Sequence, residues 1–475
     1  MTKIDAKVNP GLSEKVDAYI AENQDKIISA LQDLLKIPSV KTAPEKNAPF
    51  GKGVRDALDH TLNLARELGF ETIDMDGYIG CVDYGFQGNE DKELLAIMCH
   101  LDVVPEGIGW DHPPFAAEIA DGKLFARGAL DDKGPTISAL YALAAIKAAG
   151  LRLKRRVRIL LGCDEESGWG CMDHYSEHGE TPHMAFSPDA DYPLVNSEKG
   201  ILHASFKREF KSNISLESGS RPNVIPNDAR ITLKAADFEL EDIVKAASSV
   251  EEAGFPTDYS LEDDEITITV TGLGGHAASP EMGKNALLAA LTVLSALPLE
   301  GDDREVVETL HNALMQDLHA EHLGLDVNDE SGRTTINPGV MRWDKDGIHE
   351  FSVDMRCPRT LNLEDTLEKL KTAFSKAGLT HTGGELKDGH FVPRESELVS
   401  KLLSVYEKRT GEAAEPLAIG GGTYARAIEN AVAFGCERPG VEAPIHMPNE
   451  FIRLEDIMFN TYLIADAIIA LACEE

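Results

Sequence analysis

The sequence predicts an α/β protein: a mostly parallel sheet with helices on both faces, interrupted by a second domain of α+β type. Three observations carry this. Over roughly the first 190 residues, short apolar runs alternate with helical periodicities, the pattern of βαβ units around a buried parallel sheet. From about Ile201 to Leu386 the strands alternate apolar and polar residues, as antiparallel strands with one wet face do. After Leu386 two helical patterns return. The first domain is therefore expected over 1–200 and 386–475, split by an insert over 201–385.

Ser13–Leu35 places Val16, Ile20, Ile27, Leu31 and Leu34 near helical spacing, and Val54–Leu68 repeats the pattern. Leu94–Cys99 is wholly apolar and short, the mark of a buried strand. Thr136–Ala149 is a strong helix with Pro135 just inside its start and Gly150 at its end. Val157–Cys163 is a second buried strand and Met184–Phe186 a third. In the insert, Ile201–Phe210, Ala229–Lys234, Ile266–Val270 and Phe351–Met355 are expected strands. Leu240–Ala253, Asn285–Leu297 and Thr366–Ala377 are expected helices. No solenoid repeat and no low-complexity run is present.

At 475 residues the chain can bury two or three cores. Its formal net charge of −35 argues against a nucleic-acid partner, which needs a positive face, and against docking on an anionic membrane. The N-terminal stretch has no apolar core of signal-peptide length, and no apolar run is long enough to span a bilayer. Seven scattered cysteines without a C-x-x-C pair suit a reducing compartment. A cytoplasmic protein is expected. Cys99 and Cys163, in apolar runs, read as buried strand residues rather than ligands.

Seven segments concentrate acidic and histidine side chains: Met98–Pro105, Arg127–Gly134, Asp164–Glu166, Ser187–Asp191, Gly275–Ala277, Asp354–Arg356 and His446–Glu450. Together they offer the anionic oxygens and neutral imidazoles that two divalent ions require, with one carboxylate to spare for proton transfer. Taken singly, each has a plainer reading. His100-x-Asp102 alone is a weak pattern, and Asp131-Asp132-Lys133-Gly134 can be an acidic turn capping the next helix. Glu165 and Glu166 can be a solvated loop end; paired carboxylates past a buried strand are costly unless a cation lies near. Successive strand residues point to opposite sides, so the two are expected to have different tasks, one to ligate and one to move protons. His100, Glu165 and Glu166 follow buried strands, where open α/β sheets bind ligands. The histidines at 112, 174, 178, 183, 203, 311, 319 and 322 lie outside any ligand motif.

With all seven segments in order, the chain resembles the cocatalytic metallopeptidase superfamily of carboxypeptidase G, aminoacylase, carnosinase and acetylornithine deacetylase, and within it the peptidase V branch of bacterial dipeptidases. The resemblance runs from about Ile20 to the C-terminus. It implies that His100, Asp131 and Asp189 hold one metal and that Asp131, Glu166 and His446 hold the second, with Asp131 as bridge. It implies Glu165 as general base, Asp102 as the residue orienting His100, and His276 as a lid histidine stabilising the oxyanion, with Asn223 as a second polar group there. Arg356 resembles an arginine that grips the substrate carboxylate, and Gly421, Gly422 and Thr423 a loop whose backbone receives that end. An Arg356 ion pair with Asp354 is the alternative. A cis peptide between Asp131 and Asp132 is also implied.

The resemblance implies a metal-dependent hydrolase of dipeptides, with two ions that are zinc, or manganese or cobalt, since carboxylate-rich shells accept all three. An N-acyl amino-acid deacylase would use the same metals and base. A non-catalytic metal-binding scaffold is the remote alternative, and an unliganded Glu165 would have no purpose in one. The resemblance also implies that shorter members of the superfamily dimerise to complete the site. An insert of about 185 residues is large enough to substitute for that neighbour, so a monomer is expected.

Overall fold

The computed structural model describes residues 4–89, 91–315 and 317–474. The chain forms two compact units. The first comprises Met1–Asn196, Val392–Leu417 and Gly422–Glu475; the second comprises Ser197–Phe391 and Ala418–Gly421.

The sheet of the first unit has four parallel strands at its centre, in the order Arg156–Gly162, Leu94–His100, Met184–Ser187 and Ala431–Ala433. The first three are buried along their whole length, which is why they are mainly apolar; Arg156 and Arg158 are the exceptions, paired with Glu180 and Asp83. The edges are antiparallel. Ile79–Tyr84 and Glu71–Met75 extend one side, and Val195–Glu198 closes the other against Ala433. The sheet is thus mixed, parallel only where both faces are covered. The periodic signal missed Ile79–Tyr84 and Glu71–Met75, the second of which is largely exposed.

Lys133–Ala149 is the central helix, with every side chain from Lys133 to Ile146 buried. Alanine-rich composition lets its neighbours approach closely, and Leu454–Ala472 and Glu14–Glu22 pack against it. Gly150 ends it in the left-handed conformation at φ 68°, its N–H turned back to Ile146 and Lys147 carbonyls. The expected single helix over Ser13–Leu35 is two, Glu14–Glu22 and Gln24–Leu35. Asn23 breaks it: its side-chain amide donates to the Tyr19 carbonyl at 2.8 Å, competing with the helical ladder.

The second unit is an eight-stranded antiparallel sheet. Its order is Thr257–Glu262, Glu265–Thr271, Asp228–Lys234, Ile214–Ser218, Thr335–Asp344, Gly347–Cys357, Gly200–Glu209 and Thr380–Lys387. Gly200–Glu209 alternates buried and part-exposed residues, with Leu202, Ala204 and Phe206 turned inward. Leu240–Glu251, Ala286–Ser295, Gly301–Leu314 and Leu363–Ser375 contribute helices, and the core gathers Phe206, Phe351, Phe374 and Met355. This unit begins four residues before and ends six residues after the insert expected over 201–385, and it also takes in Ala418–Gly421. The cause is a short pairing, His390 with Glu198 and Phe391 with Ser197, two residues on each side and mostly polar, too short to carry a strand signal.

All seven cysteines are buried and reduced. No helix among the described residues is long and apolar enough to cross a membrane.

One glycine in the central sheet makes room for a side chain beside the acidic cluster. A Cβ on Gly162 would lie 2.3 Å from the Tyr424 hydroxyl. Tyr424 is buried, meets the His100 ring edge-on at 6.1 Å between centroids, and lies 2.8 Å from Cys171 Sγ. Gly162→Ala should displace Tyr424 and destabilise the first unit by about 1–3 kcal/mol. The check is a lower denaturant midpoint at unchanged slope; an unchanged midpoint would mean the tyrosine moves aside freely.

Candidate metal centre

Two ligand triads meet in the first unit. His100, Asp131 and Asp189 form one, and Asp131, Glu166 and His446 the other, with ligand atoms of each triad within 4.8 Å of one another. Asp131 belongs to both. Its Oδ1 lies 2.9 Å from His100 Nε2 and its Oδ2 lies 3.1 Å from His446 Nε2, so one carboxylate spans the two imidazoles. Glu166 Oε2 is 3.0 Å from His446 Nε2, and Asp189 Oδ2 is 3.6 Å from His100 Nε2.

Each ligand sits where a strand or helix ends. His100 is the last residue of Leu94–His100, and its backbone N–H is held by Asp132 Oδ2 at 2.9 Å. Asp131 immediately precedes the cap of the central helix, and its peptide bond to Asp132 is cis. Asp189 follows Met184–Ser187. His446 lies in a loop at φ 62°, a region that a residue with a Cβ rarely enters unless held there.

The donor set fits divalent cations. His100 Nδ1 is 3.0 Å from the Asp102 carbonyl oxygen, which can only accept, so the ring proton sits on Nδ1 and Nε2 keeps its lone pair. Nε2 is buried and, close as it is to Asp131 and Asp189, makes no well-directed hydrogen bond. A buried acceptor without a donor is costly, and a cation between the imidazole and the two carboxylates removes that cost.

The electrostatics agree. Without cations, burial pushes the Glu166 carboxyl up to about 7, with Asp131 adding to the rise. Burial, then the negative charge of Asp131, raises Asp189 as well. Burial raises Glu165 well above the carboxylate range, against the pull of His100. Asp131 goes the other way. Burial works to raise it, but the neighbouring imidazoles of His100 and His446 hold it well below the ordinary range. Burial would lower His446, yet Asp131 and Glu166 push it up to about 10. Positive charge is thus drawn to this cluster, as protons or as metal.

The proposed base lies among them. The carboxylate of Glu165 has no hydrogen-bond partner among the described residues, while its backbone N–H donates to Asp102 Oδ1 at 3.0 Å. The N–H of Glu166 donates to Asp102 Oδ2 at 3.1 Å. This corrects two expectations. Glu165 and Glu166 stand in a turn beyond Arg156–Gly162, so strand alternation does not separate them. Asp102 orients His100 through its backbone carbonyl; its carboxylate, 3.7 Å from His100 Nδ1, grips the Glu165–Glu166 turn instead. A buried carboxylate takes the donors that complement it best, and two backbone N–H groups side by side match its two oxygens.

The second unit carries His276, Asn223 and Arg356. His276 is exposed on Gly275–His276, which pairs with Val224–Ile225, and Asn223 adjoins it, its carbonyl accepting the Ala277 N–H at 3.0 Å. His276 Nδ1 accepts the Ala278 N–H at 3.1 Å, so the neutral ring carries its proton on Nε2. Arg356 is buried and paired with Asp354, Nε to Oδ1 at 2.8 Å and Nη2 to Oδ2 at 3.0 Å. Nη1 donates to the Gly420 carbonyl at 3.0 Å. The ion pair with Asp354 is therefore real, and it takes one side of the guanidinium. Of five N–H groups, three are committed, which leaves one on Nη1 and one on Nη2. Gly421 belongs to this unit, whereas Gly422 and Thr423 belong to the first, where Thr423 caps a short helical turn over Tyr424–Ala427.

Sequence reasoning gave no role to Arg127 or Glu450, nor to the side chains of Asp132 and Tyr424. All four are buried around the cluster, and Arg127 Nη1 meets Glu450 Oε2 at 2.6 Å. The signal available was the presence of charged residues inside otherwise apolar motifs, which have to be paired when buried.

The chain is similar to known proteins in both sequence and fold. Residues 96–470 match the model of peptidase family M20/M25/M40. A Bacillus subtilis (strain 168) protein that carries the provisional name of dipeptidase YtjP is 35% identical over 477 residues, covering 96% of this chain and 99% of its own length. A Staphylococcus epidermidis (strain ATCC 12228 / FDA PCI 1200) protein, also provisionally named a dipeptidase, is 31% identical, covering 96% of this chain and 99% of its own. The crystal structure of human carnosine dipeptidase 1 shares the fold, with a TM-score of 0.59 at 15% identity, over 97% of this chain and 99% of that one.

Metal loading should release protons, because ligation needs His446 neutral and Glu166 ionised. His446, at about 10, is protonated at pH 7.5, and Glu166, at about 7, is partly so. Apparent affinity should therefore rise with pH between about 6 and 9. Calorimetry in two buffers of different ionisation enthalpy measures this; a heat independent of buffer would contradict it.

Proposed function

Because the chain belongs to peptidase family M20/M25/M40 and is a peptide hydrolase, we propose that it hydrolyses dipeptides with two divalent ions, zinc or in its place manganese or cobalt. The observation that carries this reading is the pair of triads sharing Asp131, with the unengaged carboxylate of Glu165 beside them. The provisional names of the relatives support the choice of dipeptides. Two ions held there supply Lewis-acid charge and lower the pKa of water at the site.

The protein groups do the rest. Glu165 accepts a proton from the attacking water on its carboxylate and later returns it to the leaving amine. Its raised proton affinity suits that second act, since a carboxylic acid nearer neutrality holds the proton long enough to deliver it. Asp102 fixes the turn that carries both Glu165 and Glu166. His276 donates from Nε2 to the oxygen that becomes negative, and Asn223 adds a second polar contact; fixed donors of this kind are often the largest catalytic term. The two N–H groups left on Arg356, with the backbone of Gly421, Gly422 and Thr423, receive the carboxylate end of the substrate. We further propose a monomer, because an insert of about 185 residues is large enough to substitute for a neighbouring subunit, and a cytoplasmic one, because seven scattered cysteines without a C-x-x-C pair suit a reducing compartment.

A panel of dipeptides, amidated dipeptides, and N-acetyl and N-succinyl amino acids tests the substrate class. Free-acid dipeptides should be the best substrates by kcat/KM; faster turnover of N-acyl amino acids would make the chain a deacylase. Chelation should abolish turnover and added zinc or manganese restore it. Glu165→Gln should keep its metal and lose roughly 10²-fold or more in kcat. Glu166→Gln should instead lose metal. Equal metal loss in both variants would refute this division of roles.

A further inference from the structure

We propose that the buried Arg127–Glu450 pair is a positioning device that sets the bridging carboxylate of Asp131 against His446. The inference rests on the two-ion reading and adds two residues to it. Glu450 is wholly buried, and each of its carboxylate oxygens has a separate task. Oε1 accepts the backbone N–H of Leu130 at 3.0 Å and of Asp131 at 3.3 Å. Oε2 accepts from Arg127 Nη1 at 2.6 Å. The Glu450 carbonyl accepts the Ala126 N–H at 3.1 Å, so backbone and side chain both tie this residue to the Ala126–Asp131 segment.

Glu450 stands four residues after His446, in a loop that needs holding. His446 and Asn449 are both left-handed, at φ 62° and 60°. Such residues persist only where surrounding contacts over-determine them. Asn449 Oδ1 accepts the Asp111 N–H at 2.7 Å, and Glu450 supplies the other anchor. The same side chain thus fixes the backbone of the bridge and the segment that brings the second imidazole to it. A role in stability alone would not require this arrangement, since buried ion pairs can often be replaced by apolar pairs without loss. An apolar pair would leave the Leu130 and Asp131 N–H groups without an acceptor.

The test titrates zinc against a chromophoric chelator in wild type, Glu450→Gln and Glu450→Asp, with thermal midpoints and steady-state kinetics alongside. Asp466→Asn is the control. Asp466 pairs with Arg409 at 2.5 Å, equally buried in the same unit, and contacts no residue of the cluster. Glu450→Gln should weaken zinc binding by about 10- to 100-fold, the scale for outer partners of metal ligands, and lower kcat with little change in KM. Glu450→Asp keeps the charge beside Arg127 but withdraws the carboxylate by one methylene; it should weaken zinc by about three- to ten-fold and serves as the deciding variant if Glu450→Gln does not fold. Asp466→Asn should lower the thermal midpoint and leave zinc affinity unchanged. Wild-type affinity in the folded Glu450 variants, or an equal loss in Asp466→Asn, overturns the proposal. Wild type that binds no zinc overturns the two-ion reading along with it.

Discussion

One carboxylate, that of Asp131, lies between two imidazoles, and the surroundings of the site exist to keep it there. Its oxygens face His100 at 2.9 Å and His446 at 3.1 Å, although the two histidines are hundreds of residues apart in sequence. His100 ends a central strand, Asp131 precedes the central helix, and His446 hangs from a loop. None can shift alone. Asp132 fixes the backbone at His100, and Asp102 fixes both the His100 ring and the Glu165–Glu166 turn. The fold brings acids together at a spot where, in the absence of cations, they repel one another.

That repulsion explains the division of pKa values. Asp131 has an imidazole against each oxygen and stays ionised, while Glu166 and Asp189 each meet only one, and burial raises both of them and Glu165. The same burial therefore yields a permanent anion and reluctant anions within one cluster. A permanent anion suits a bridge. A reluctant anion suits a group that takes and returns protons.

The sequence was most legible where one residue type serves one physical demand. Leu94–His100 and Arg156–Gly162 are buried on both faces, and their continuous apolar runs, Leu94–Cys99 and Ile159–Gly162, made the parallel core easy to read; Arg156 and Arg158 are tolerated in the second because Glu180 and Asp83 pair with them. The edge strand Glu71–Met75 is wet, and the crossing pairs at Ser197–Glu198 and His390–Phe391 are only two residues long; periodicity marks neither. At the site, family motifs picked out the residues that the fold gathers into two triads. They named Asp102 as the residue that orients His100 but pointed to its carboxylate rather than its carbonyl, because motif spacing shows which residues are neighbours but not which atom of a residue faces which partner. Arg356 shows the same limit: the ion pair with Asp354 and a fork for a carboxylate looked like alternatives, yet a guanidinium has donors enough for both.

The distribution of cysteines has a consequence for following this protein in solution. Cys81, Cys99, Cys163, Cys171, Cys436 and Cys473 are buried in the first unit, and Cys357 alone is buried in the second. A buried thiol meets an alkylating reagent only when its surroundings open. Each unit thus contains its own clock for local unfolding, and the rate at which Cys357 is alkylated reports on the second unit independently of the other six. With metal added, slower alkylation of Cys99, next to His100 in the same strand, would register how firmly the loaded centre locks the sheet beneath it.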